Sequence, residues 1–268
     1  MKNPKIGLLH ILIGAMFLIG LILLSYGIGT RIVLSLAAVL FVLVIVRKDV
    51  RYLSASILAF LISFYLYTLL RGKFHQRIDD LALTILIDRL LLGLLIGGLI
   101  LTAGLFRKPS SLSFRKPEWD NLIYFPFITH GFHYIKIRLF FIISILGNLA
   151  VFVPLLFIFG DMERMKGLIL FALLFSVVNA FMEELLWRGT LFQVLWNEGS
   201  LFYAILFTSL AFGIHHIAIG IPLAAALSFS IGGVFFAIVT VCSRSIVPAM
   251  LWHFIINLFM VFSNFIIP

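Results

Sequence analysis

The sequence predicts an all-α polytopic membrane protein, with about 8–9 transmembrane helices around a buried polar cavity. Three observations carry that prediction. Of 268 residues, 63% are hydrophobic and only 12% charged, about half the charged share of a soluble domain. Several apolar runs reach the roughly 20 residues needed to cross about 30 Å of hydrocarbon. No polar stretch between them is long enough to fold alone. Mean hydropathy is +1.19. The net charge of +9 would point to nucleic acid in a soluble chain. Here Lys and Arg lie in short connections between apolar runs, as bilayer topology demands, so the lipid bilayer is the expected partner and nucleic acid is not. The single cysteine, Cys242, excludes an intrachain disulfide.

The candidate spans, in order, are residues 6–26, 28–46, 53–70, 90–106, 139–159, 167–196, 201–219, 221–241 and 246–267. The second and fourth are short, so the count is eight or nine. The first run follows Lys2 and Lys5, as a signal peptide would, but is too long for a typical apolar signal core and has no small-x-small cleavage pattern. It reads as a retained span. Residues 122–135, with Pro126, Thr129, His130, Gly131 and His133, read as an interfacial or re-entrant piece. The loop 107–121, with Arg107, Lys108, Arg115 and Lys116 around two prolines, divides accessory N-terminal helices (1–121) from a core (122–268). With the N-terminus inside, thirteen Lys and Arg face inward and seven outward, which favours that orientation. The cluster Arg71, Lys73, Arg77 runs against it.

The core carries ionisable and amide groups inside apolar runs: Glu183, Glu184, Arg188, His216, His253 and Asn257. A charge at mid-membrane costs about 2.5–3.5 kcal/mol on insertion scales, which makes each such residue a functional hypothesis. On a helix Glu184 and Arg188 are i,i+4 and can pair. Glu183, turned about 100° from Glu184, is then left for chemistry as a general base. The competing reading is an ion cluster at a helix end. The turn after that helix falls near residues 197–200, and Glu183 and His216 each lie about 20–25 Å from it at about 1.5 Å per residue. An antiparallel hairpin would bring them level, with Phe212 on the His216 face keeping the site dry. His253 and Asn257, again i,i+4, could donate to an oxyanion or simply form an interhelical hydrogen-bond pair. Asp88-Arg89 reads as a helix end with a snorkelling arginine, Asn148 and Asn179 as interhelical contacts, and Gly232-Gly233 with Ser228 and Ser230 as a small-residue packing face. His215 has no assigned role.

Glu183-Glu184-x-x-x-Arg188-Gly189, then Phe212-x-x-x-His216, then His253-x-x-x-Asn257 resembles the three signature motifs of the CPBP family (CAAX protease and bacteriocin-processing, or Abi), whose eukaryotic branch is the type II CAAX prenyl endopeptidases. The resemblance covers about residues 139–267. It implies a glutamate-dependent intramembrane endopeptidase acting on a peptide or membrane-protein substrate. Glu183 and His216 would activate the attacking water, His253 and Asn257 would stabilise the oxyanion, and Glu184 and Arg188 would support them. It also implies a site without a metal or other cofactor. Zinc is the lesser alternative, since Glu183, His216 and His253 form a known catalytic ligand set, although no H-E-x-x-H is present. The expected location is the plasma membrane of a prokaryote. Rival readings are a peptide-binding or bacteriocin-immunity protein using the same cavity, and a proton-coupled transporter, which the lack of inverted repeats disfavours.

Overall fold

The structure is a computed structural model that describes residues 6–109, 114–125, 133–159 and 162–266. Apolar composition without β-branched alternation yields helices almost throughout: α1 (Leu8–Ser25), α2 (Thr30–Val46), α3 (Arg51–His75), α4 (Leu81–Leu90), α5 (Gly93–Leu105), α6 (Ile137–Phe159), α7 (Met162–Glu184), α8 (Phe192–Glu198), α9 (Leu201–His215), α10 (Leu223–Ser243) and α11 (Val247–Phe262). Leu185–Leu191 is a π-helical stretch and His216–Ile219 a 3₁₀ turn. The protein is an all-α, multi-pass integral membrane protein. Among the described residues seven helical segments are long and apolar enough to span a bilayer. The second and ninth expected spans are shorter apolar helices, Thr30–Val46 and Val247–Phe262. The fourth begins at Leu81, earlier than expected, and runs through α4 and α5 to Leu105.

Many large apolar side chains point outward, Leu105 at 83% and Phe157 at 86% exposure among them. Such a surface would aggregate in water and is the lipid-facing surface of a membrane protein. The expected interfacial or re-entrant piece at residues 122–135 is described at its two ends. Strands β1 (Leu122–Phe125) and β2 (His133–Lys136) pair antiparallel, Leu122 opposite Lys136 and Phe125 opposite His133. Residues 126–132 of that segment, including Pro126, Thr129, His130 and Gly131, lie outside the described residues. At the base of the hairpin Lys136 donates to Asp120 at 3.0 Å. That hydrogen bond, with the nearby Arg138 charge, holds the Asp120 carboxyl below its usual range.

Two compact units share the chain. One comprises Met1–Gln76, Leu91–Leu112 and Leu185–Ala237; the other Arg77–Leu90, Ser113–Glu184 and Ile238–Pro268. The first is knit by aromatic rings: Phe17 meets Phe60 edge-on at 5.0 Å, and Phe60 meets Trp187 at 5.8 Å. Its helices α9 and α10 approach closely. A Cβ on Gly213 would fall 2.5 Å from the Ala226 carbonyl, and one on Gly233 would fall 2.9 Å from the Ser209 Cα. The small-residue face is therefore real, with Gly233 rather than Gly232 at the contact. The second unit centres on Phe171, Ala172, Phe175 and Val261, with Ala82, Leu86 and Leu258 packed against them, so α4, α7 and α11 share one core.

Candidate active site

In the second unit α7 carries Phe175, Asn179 and Glu183 at i,i+4 spacing, one stripe on one face. Glu183 is fully buried and its Oε1 accepts from Arg89 Nη1 of α4 at 3.2 Å. The Arg89 guanidinium also lies over the Phe175 ring, 5.7 Å from its centroid. This corrects two expectations. Arg89 lies in the last turn of α4, at a helix end as expected, but it does not snorkel, being only 6% exposed. Nor is Glu183 a carboxylate without a cation beside it. A buried acid needs a charged or hydrogen-bonding partner to stay ionised, and Arg89 supplies one.

From α11, His253 reaches both glutamates. Its Nδ1 is 2.8 Å from Glu184 Oε1, and its Nε2 is 3.6 Å from Glu183 Oε2. Asn179 Nδ2 lies 3.5 Å from the same Nε2, so Asn179 does join two helices, as expected. A carboxylate only accepts, so Nδ1 carries the proton shared with Glu184. In the neutral ring Nε2 then accepts from Asn179; in the imidazolium it donates. Asn257, one turn further along α11, is 3% exposed, and its Nδ2 has no hydrogen-bond partner among the described residues. Pro248 sits in the first turn of α11, and Trp252 packs edge-on against Phe140.

The first unit holds the remaining candidates. Arg188, buried in the π-helical stretch, donates from Nη2 to the Gly233 carbonyl at 3.0 Å. Its guanidinium stacks over Phe212 and Phe236, at 4.7 and 5.2 Å. Phe212 is therefore a cation–π platform for Arg188 as well as an apolar wall. His216 opens the 3₁₀ turn, with Nδ1 2.8 Å from the Phe212 carbonyl. A carbonyl can only accept, so Nδ1 bears the proton, and in the neutral ring Nε2 carries the lone pair a general base requires. Its imidazole stacks on Phe229 at 4.4 Å and 13°. Gly220, at φ +95°, ends the turn in a conformation L side chains rarely adopt. His215 is fully buried among Phe64, Tyr67 and Trp187, all within 5.8 Å; it belongs to the aromatic core. The expected turn between the motif helices falls at Gly199–Ser200, where Ser200 Oγ caps α9 by accepting from the Tyr203 amide. Glu183, Glu184, His253 and Asn257 thus belong to one unit, and Arg188, Phe212 and His216 to the other.

Among the described residues no group of three or more His, Cys, Asp or Glu side chains has the geometry to hold a metal ion. Sequence reasoning missed Arg89. The signal was available, an arginine inside an apolar run, but the span boundary drawn at residue 90 put it at the interface.

Comparison with known proteins adds one finding. Residues 165–259 match the family model described as Type II CAAX prenyl endopeptidase Rce1-like. No curated protein and no solved structure matches the chain significantly. The matched segment runs from α7 to α11 and contains all three polar motifs, so over that segment the chain is similar to the CAAX protease family.

Proposed function

We propose that the protein is an intramembrane endopeptidase of the glutamate type, hydrolysing a peptide bond of a membrane-associated or hydrophobic peptide by direct attack of water. Glu183 and His216 activate that water, and His253, through Nε2–H as the imidazolium, and Asn257 donate to the tetrahedral oxyanion. Glu184 orients His253 through Nδ1, and Arg188 supports the motif helix. The observation that carries the reading is the buried set Glu183, Glu184, His253 and Arg89, on helices of which two lie within the family-matched segment. A structural ion cluster alone would not require an amide such as Asn257 one turn from the imidazole, with a buried donor directed at no described partner. His216 suits the general-base role because its Nδ1–H is committed to a carbonyl.

The core assigned to residues 122–268 extends in this reading to α4, since Arg89 compensates Glu183, while the other helices of 1–121 are accessory. No Ser or Cys enters the constellation, so no acyl-enzyme forms, and the reaction requires no metal. In the plasma membrane of a prokaryote, where prenylated tails are not expected, the substrate is a leader, signalling or other membrane peptide.

The test is cleavage of a hydrophobic peptide library by the purified protein, with Glu183→Gln and His216→Ala beside the wild type. A lost general base lowers turnover about 10²–10⁴-fold, and each variant is checked for retained peptide binding and helical content. Full cleavage by Glu183→Gln would overturn the mechanism. Binding without cleavage in the wild type would make the protein a peptide-binding or immunity factor. Inhibition by a chelator with rescue by zinc would restore the metal reading.

A further inference from the structure

The first unit contains a cavity of about 660 Å³ bounded by the end of α1, the α1–α2 turn, the first half of α2 and the outer half of α3. That volume lies inside the range of about 300–1,000 Å³ typical of small-molecule sites. Its walls are apolar, with Val33, Ala37 and Leu61 among them, and no acidic side chain lines it among the described residues. Polar groups gather at one end, where Ser25, Thr30, Thr68 and Arg71 line it. The Ser25 Oγ is buried there without a hydrogen-bond partner among the described residues. Arg71 is held in place by a bond from Nη1 to the Ala218 carbonyl at 2.8 Å. Lys73 follows two residues later on α3, and Arg31 opens α2 at the same end. The opposite rim is lipid-facing, with Leu34 at 64% and Ile62 at 52% exposure, so a chain can enter sideways from the bilayer.

We propose that this cavity binds an anionic glycerophospholipid, an acyl chain lying along α2 and α3 and the headgroup phosphate resting on Arg71. A guanidinium fork matches two phosphate oxygens, and basic pockets between membrane helices are established headgroup sites. The apolar walls exclude a polar ligand, and the absence of acidic lining leaves nothing to repel a phosphate. The proposal also gives a role to Arg71, one of the cations that ran against the charge count for membrane orientation. It is independent of the proteolytic mechanism.

The full chain is purified in nanodiscs containing equal phosphatidylglycerol and phosphatidylcholine, released, and its retained lipid counted by native mass spectrometry. The wild type is expected to retain phosphatidylglycerol over phosphatidylcholine by about fivefold, the discrimination one surface cation gives. Arg71→Gln brings the two lipids to parity. Ala37→Trp, which fills the apolar end, removes both, with unchanged helical content and melting temperature. Val33→Phe repeats that test should Ala37→Trp fail to fold. Equal retention by wild type and the filled variant overturns the proposal, as does absence of preference in the wild type. Retention of added oleate in place of phospholipid overturns it too, by making the site one for free fatty acid.

Discussion

Arg89 and Glu183 form a contact between α4 and α7 in which neither partner can be lost quietly. Truncating one member of a buried ion pair strands the other charge, at a cost of about 3–5 kcal/mol. Arg89→Ala is therefore expected to lower the melting temperature sharply, while the double variant Arg89→Ala/Glu183→Ala costs less than the sum of the two. Thermal unfolding in detergent measures this, and an Arg89→Ala variant within about 0.5 kcal/mol of wild type, the surface-substitution range, would remove the pair from the argument. Glu184 gives a second residue-scale prediction. Glu184→Gln keeps an acceptor for His253 Nδ1 and is expected to retain more peptide cleavage than Glu184→Ala, which leaves the ring unanchored. Equal activity in the two would mean that the 2.8 Å contact does not position the ring. The motif residues were legible one at a time, because each is a costly group in an apolar run. That Arg89 would meet Glu183 was not.

Element by element, small residues and caps decide how the helices meet. Gly213 and Ser230 lie at the α9–α10 crossing, with no room for a larger side chain. Gly213→Val is expected to destabilise by about 1–3 kcal/mol, as overpacked contacts do; Gly232→Ala, where a Cβ meets nothing within 4 Å, is the neutral control. Loss of the α9 cap in Ser200→Ala is expected to cost about 1 kcal/mol. Both are read by thermal unfolding, and a neutral Gly213→Val would show that the helices separate freely. The turn at Gly199–Ser200 was readable from the Gly-Ser pair. The hairpin was not, because four-residue strands are too short for a period-2 pattern to declare itself. The π-helical stretch at Leu185–Leu191 was equally hidden. Its sequence reads as ordinary helix, and nothing in the residue types announces the widened turn.

For the whole molecule, the membrane path depends on α2. Its 17 residues extend about 25 Å at 1.5 Å per residue, short of about 30 Å of hydrocarbon. A crossing α2 puts the α1–α2 turn and the α2–α3 loop on opposite sides. In a Cys242→Ser background, single cysteines replacing Ile28 and Lys48 are expected to react with a membrane-impermeant reagent from opposite faces, Lys48→Cys from the inner one if the N-terminus is inside. Labelling from the same face would show that α2 does not cross and would reverse every later segment. Charge counting alone could not decide this, because Arg71, Lys73 and Arg77 lie on the side that the count predicts to be poor in cations.

Composition alone determined that this chain lives in a bilayer as a set of helices, since so many apolar residues leave backbone groups no partner but their own helix. The spacing of the polar motifs likewise marked where chemistry belongs. Only the tertiary structure joined Arg89 to Glu183, 94 residues apart, set His253 against both glutamates and buried His215 among rings. Contacts between helices depend on how their faces rotate and cross, and local periodicity along one segment carries no record of its neighbour.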